Sequence, residues 1–222
     1  MPWSSGIFVK RAWSRRRSPD RPAGDAPSMN AVRAFIAIEL PQVTRDALAD
    51  LEARLNAHVP RGSVRWVKPD NIHLTLKFLG QVPTAQIDSI GIALRHAAAG
   101  VRVFPFEVMR AGCFPDLRRP RVVWVGIDEH SGVLHALQRT VELAVAPLGY
   151  PPEARAFQPH LTLGRAARDL KPSDLHKLGD AVQNAHVGLL GHVHADELVL
   201  FQSDLEPGGP TYTPLARVPL LR

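Results

Sequence analysis

Along residues 32–39 the run Val-Arg-Ala-Phe-Ile-Ala-Ile-Glu is short, apolar and rich in β-branched residues before Pro41 closes it, which predicts a buried strand. Residues 42–58 place Val43, Leu48, Leu51 and Leu55 at helical spacing among charged side chains, an amphipathic helix. Strands are predicted at 64–67 and 72–79, on either side of the turn Lys68-Pro69-Asp70-Asn71, the second ending at Gly80. From 84 to 99, Ile87, Ile90, Leu94 and Ala97 recur at three- and four-residue steps, a second helix stopped by Gly100. The rest of the chain runs in a similar order. Strands at 101–112 and 121–128 precede a helix at 132–146, capped by Ser131 and carrying Leu134, Leu137, Val141 and Leu143 inward. A proline-rich loop, 147–159, then delivers a strand at 160–164, a helix near 173–185, and strands at 192–202 and 211–219 around the turn Glu206-Pro207-Gly208-Gly209-Pro210. The reading is an α+β protein of two similar halves.

Length and composition narrow the class. A chain of 222 residues can bury roughly 70% of the surface its unfolded form exposes, so a core needs no covalent staples. The single cysteine, Cys113, excludes an internal disulfide and a four-cysteine metal site, and with no apolar stretch long enough for a signal peptide or membrane span the expected location is the reducing cytoplasm. The net charge of +6 is unevenly spread. Residues 1–28 hold six Lys and Arg against two Asp, a net +4, leaving +2 for the remaining 194 residues. That basic segment reads as a disordered extension ahead of a body starting at Met29. The body lacks a broad cationic face, so any nucleic acid is met locally, at a site.

The candidate site is a tetrapeptide that occurs twice: His73-Leu74-Thr75-Leu76 and His160-Leu161-Thr162-Leu163, each on a predicted strand. Alternation puts His and Thr of each copy on one face and both leucines on the other. If the two halves pack about an approximate two-fold axis, two imidazoles and two hydroxyls converge. Phosphodiester cleavage needs a proton taken from the attacking oxygen and a proton given to the departing one, and two histidines in opposite protonation states supply both. Threonine hydroxyls can donate to the nonbridging oxygens. Arg165 lies off the His/Thr face in strict alternation, but Gly164 permits a twist or bulge that turns its guanidinium inward onto a phosphate. Phe78 falls opposite His73 by the same count and reads as core, with base stacking as its alternative near the strand end.

The stretches Val64 to Gly80 (VRWVKPDNIHLTLKFLG) and Phe157 to Arg165 (FQPHLTLGR) resemble the two signatures of the 2H phosphoesterase superfamily, and within it the RNA 2′,3′-cyclic phosphodiesterases formerly called 2′-5′ RNA ligases. The similarity extends over residues 29–222. The resemblance implies a bilobal fold, two pseudo-symmetric antiparallel sheets with outer helices around a central cleft. It also implies metal-independent hydrolysis of a 2′,3′-cyclic phosphate at an RNA end to a 2′-phosphate, with no cofactor. His73 would be the general acid and His160 the general base, with Thr75, Thr162 and Arg165 holding the phosphate and Phe78 stacking on a base. A monomer is expected because one chain carries both motifs. Rival readings are reversible 2′-5′ ligation at the same site, grip of an RNA end without turnover, and a metal site at His192, His194 and Asp196.

Overall fold

The computed structural model describes residues 30–207 and 209–222, so the basic segment 1–28 lies outside the described residues. These form β1 (Ala31–Ile38), α1 (Gln42–Asn56), β2 (Val64–Trp66), β3 (Leu74–Pro83), α2 (Ile87–Ala98), β4 (Phe104–Phe114) and β5 (Val122–Asp128). There follow α3 (Val133–Val145), β6 (His160–Ala166), α4 (Pro172–Gln183), β7 (Leu189–Ala195), β8 (Glu197–Glu206) and β9 (Gly209–Pro219). Among the described residues no helix is long and apolar enough to cross a membrane.

The expected two sheets are joined into one. Its strand order is β7-β4-β5-β6-β3-β1-β8-β9, with β2 paired to β6, and the named strands pair antiparallel. The join is a single residue pair, Leu74 with Leu161. The order reads outward from that pair as β3-β1-β8-β9 on one side and β6-β5-β4-β7 on the other, so the two halves correspond strand for strand. Connectivity is shared as well: α1 lies between β1 and β3 as α3 lies between β5 and β6, and α2 and α4 follow the motif strands. The helices are exchanged across the join. Although α1 is spliced into the His73 half it packs on β7, while α3 leaves β5 to pack on β3 and α2. Leu74, Leu76, Leu161 and Leu163 meet Leu48, Leu94 and Leu137 from these helices in one core. Full burial of each such side chain is worth about 1.5–3 kcal/mol.

Several sequence expectations are corrected. Val43 is 73% exposed, and the inward row of α1 is Thr44, Leu48, Leu51 and Leu55, whose spacing fits one helix face where Val43 does not. In α3 Leu143 points outward and the neighbouring Glu142 is buried, because a lysine of β3 meets it there. The first turn of α3 is capped as expected by Ser131, whose Oγ accepts from the N–H of Val133 at 3.3 Å, and also by Glu129, whose carboxylate accepts from the N–H of Leu134 at 3.1 Å. The strand expected at 192–202 is two strands that break at Asp196, where the chain leaves β4 in one half to join β1 in the other. β3 also runs through Gly80 to Pro83; the glycine takes up its positive φ of 73° inside the strand instead of ending it.

Candidate active site

Both motif strands carry the same irregularity at the same place. Along β1 the partners of β3 jump from Thr75 to Lys77, skipping Leu76. Along β5 the partners of β6 jump from Thr162 to Gly164, skipping Leu163. One extra residue reverses the alternation beyond it. Residues that strict alternation assigns to the far face, Phe78 and Arg165, are thereby returned to the face of the histidines and threonines. Phe78 is accordingly 55% exposed, not core, and its ring centroid lies 6.0 Å from that of Phe35. Arg165 is exposed too, and its charge bears on both His160 and Tyr212, one from each half. The inward turn of Arg165 is thus achieved by the shift at Leu163. Gly164 serves a different end. A Cβ there would sit 2.6 Å from Val64 and 2.9 Å from Trp66, so the missing side chain lets β2 dock.

The join of the sheets assembles the site. With Leu74 opposite Leu161, the antiparallel register sets His73 across from Thr162 and Thr75 across from His160, all four turned away from the leucines. Each imidazole is oriented in the same manner. Nδ1 of His73 donates to the carbonyl of Asn71 at 2.8 Å, and Nδ1 of His160 to that of Gln158 at 2.7 Å. A carbonyl can only accept, so in each neutral ring Nε2 holds the lone pair facing the site, and protonation leaves the anchor intact. Asn71 is itself fixed, its amide donating to the carbonyl of Pro210 at 2.6 Å.

The two rings differ in surroundings. His73 is half-buried in an aromatic nest: stacked on Phe35 at 4.5 Å and 19°, met edge-on by Tyr212 at 5.2 Å, with Phe201 at 6.3 Å. Loss of hydration there drives its pKa down from 6.5 to about 4, opposed in part by the Asn71 carbonyl. His160 is lowered as well, first by burial and further by the positive charge of Arg165, against the Gln158 carbonyl. Its aromatic neighbour is Phe114, edge-on at 4.9 Å, which itself leans on Trp124 at 5.2 Å. The indole lies over Gly112, where a Cβ would come within 2.4 Å of its ring.

Phe35, Phe201 and Tyr212, with Phe114 and Trp124, are site-facing residues that sequence reasoning did not single out. The run 34–38 is apolar on both faces, so periodicity cannot say that Phe35 and Ala37 form, with Val199 and Phe201, a separate small cluster under the site. A cavity of ≈ 320 Å³ beside His73 is rimmed by Lys68, Asp70, Thr211 and Tyr212. A larger one, ≈ 460 Å³ between α1 and α4, contains neither motif. The metal trio of the rival reading does not gather. His192 and His194 are exposed on β7, His192 facing Glu107 at 3.5 Å, and among the described residues no three His, Cys, Asp or Glu are grouped to hold an ion. Cys113 is buried, which pushes its thiol up to about 12 and makes it a poor nucleophile.

The chain matches the model of LigT-like phosphoesterases twice, over residues 38–124 and 125–212. It is 35% identical over 182 residues to an RNA 2′,3′-cyclic phosphodiesterase of Methanothermobacter thermautotrophicus, covering 82% of this chain and 95% of that one. With another protein of that name from Aeropyrum pernix it shares 34% identity, over 75% of this chain and 93% of that one. Among solved structures, TT0787 of Thermus thermophilus superposes with a TM-score of 0.69 at 27% identity, covering 85% of this chain and 97% of that one. Escherichia coli LigT complexed with 3′-AMP gives 0.68 at 28%, over 86% and 99%. The two family matches meet between Trp124 and Val125, so each takes in one His-Leu-Thr-Leu copy, and the chain belongs to the LigT-like phosphoesterase family.

Proposed function

We propose that the protein is an RNA 2′,3′-cyclic phosphodiesterase, a hydrolase that opens a terminal cyclic phosphate to a 2′-phosphomonoester with two histidines and no metal. The observation that carries the reading is the register about the Leu74–Leu161 pair, which sets His73, Thr162, Thr75 and His160 on one face, with Nδ1 of each histidine held by a carbonyl so that Nε2 is left free. The relatives' printed activity is the second support. In the proposed reaction His160 Nε2 takes a proton from water as its oxygen bonds to phosphorus. The bond from phosphorus to O3′ breaks, and O3′ receives the proton of His73 Nε2. Thr75, Thr162 and Arg165 hold the nonbridging oxygens, on which charge accumulates. Phe78, exposed at the rim, stacks on a base. One chain supplies the whole site, consistent with a monomer.

The depressed pKa of His73 favours a second reading, with the roles exchanged. A ring that resists protonation in the ligand-free protein is the more natural base. The anionic phosphate opposes that depression, since a negative charge within a few ångströms stabilises the imidazolium. His73 as acid therefore requires that the proton arrive with, or after, the substrate.

The test is turnover of a short RNA ending in a 2′,3′-cyclic phosphate, in chelator, with phosphorus NMR of the product. The unmodified protein is expected to give the 2′-phosphate, and His73→Ala and His160→Ala each to lose on the order of 10²–10⁴-fold in rate. Absence of turnover by folded protein, or indifference to both substitutions, overturns the proposal.

A further inference from the structure

β2 and β6 pair with Arg65 directly opposite Arg165, flanked by Val64 opposite Ala166 and Trp66 opposite Gly164. Directly paired residues share a face, so the Arg65 side chain stands on the side of Arg165, His160 and Thr162. The packing agrees: Val64 and Trp66 close over Gly164 on the other side of the strand. Two guanidinium groups on directly opposed residues, with Cα atoms about 5 Å apart, repel each other. Among the described residues no carboxylate lies within ion-pair distance of either, although Arg45, Arg110 and Arg217 all have one. Both are exposed. An uncompensated pair of forks on the site face is suited to an anion that the protein does not itself provide.

Their positions are not equivalent. The charge of Arg165 bears on His160 and on Tyr212, while Arg65 is not among the charges that bear on either. Arg165 thus bears on the reacting centre, and Arg65 stands beside it on β2, opposite the end of β6 away from His160. We propose that Arg65 is a specificity residue that binds the internucleotide phosphate preceding the terminal nucleotide, so that the enzyme favours an RNA chain end over a cyclic mononucleotide. This rests on the reading of the site as one for RNA 2′,3′-cyclic phosphate ends.

The test uses the full chain and its Arg65→Gln variant with two substrates, a nucleoside 2′,3′-cyclic monophosphate and a trinucleotide ending in the same group. The ratio of KM for the trinucleotide to KM for the mononucleotide is expected to rise about tenfold in the variant, the loss of one charge-assisted contact. Arg165→Gln should impair both substrates alike. An Arg65→Gln effect equal on the two substrates, or none on either, overturns the proposal. Should the unmodified protein hydrolyse neither substrate, the functional reading fails by itself, and Arg65 is then judged by binding. Affinity for a trinucleotide ending in a 2′-phosphate, followed against salt, should lose about 0.7 from its logarithmic slope in the variant, the contribution of one single-strand phosphate contact. An unchanged slope overturns the role of Arg65.

Discussion

The half of the sheet that carries His73 and the half that carries His160 share a backbone and differ in what they put on it. Each has the tetrapeptide, a one-residue shift at its second leucine, and a carbonyl two residues before the histidine that accepts from Nδ1. Phe201 and Phe114 occupy corresponding places, opposite Phe35 on β1 and opposite Val122 on β5. Beyond the shift the halves part. Phe78 stands where the other half has Arg165, and the inward position holds Lys77 in one and Gly164 in the other. The shared features aim two Nε2 atoms, a requirement that is the same for an acid and a base. The unshared ones set hydration and charge, on which acid and base must differ. Ring orientation is thus built by repetition, and role by departure from it.

The sharpest way to break this comparison is to remove the need for one role. A phosphodiester with a nitrophenyl leaving group expels a stable phenolate and needs no general acid. His73→Ala, which is expected to lose on the order of 10²–10⁴-fold on RNA, should lose only about tenfold on the aryl ester, while His160→Ala stays severely impaired on both. The opposite pattern would exchange the roles of the two halves. Equal losses for each variant on both substrates would show that the halves do not divide the work at all.

Lys77 tests the inward position. Its ammonium, 4% exposed, donates to Glu142 at 2.6 Å and to the carbonyl of Pro151 at 2.7 Å. Glu142 also accepts from Gln138 at 3.1 Å and from the backbone of Glu153 at 3.2 Å, and Gln138 reaches the carbonyl of Leu76 at 3.3 Å. The network ties the shifted segment of β3 to α3 and to the loop that leads to His160. Lys77→Met leaves a buried carboxylate without its cation and is expected to cost about 3–5 kcal/mol in denaturant unfolding. The double variant Lys77→Met, Glu142→Leu should recover most of that. If the single variant loses less than about 1 kcal/mol, the pair does not hold the halves together.

How far the site could be read from the chain follows from the same geometry. The repeated motif is visible because its chemistry is local and alternation sorts the faces of its histidines, threonines and leucines. The face of Phe78 is not, since a shift of register is a property of two strands; the inward turn of Arg165 is legible only as a bulge that Gly164 permits, and the shift falls one residue earlier, at Leu163. Burial of Glu142 in place of Leu143 was hidden likewise: the lysine that draws it inward lies 65 residues away. The aromatic nest around His73 needs the pairing of β1 with β8 and of β8 with β9, none of which periodicity specifies. The break at Asp196 separates two apolar runs by a single residue, too little for composition to reveal a strand changing halves.

The difference in hydration between the histidines is also a difference in how each couples folding to pH. Between about 4, its value in the folded protein, and 6.5 in the unfolded chain, His73 binds more protons when unfolded. Its contribution is therefore fully present above pH 6.5 and is lost as the pH falls toward 4, a change of at most roughly 3 kcal/mol. Glu52 works against it. Burial raises that carboxyl from 4.5 to about 7, so its contribution is present at low pH and is lost as the pH rises through that same range. The unmodified protein should show a flattened pH profile of stability. Glu52→Gln should unmask a rise with pH, and His73→Gln should remove most of the rise from that background. His160→Gln should remove less, its pKa being lowered within a less enclosed site. Denaturant midpoints from pH 4.5 to 7.5 for these variants measure the asymmetry directly. Equal slopes for the two histidine variants would mean that the halves hydrate their rings alike, and the division of roles would then have to come from the substrate.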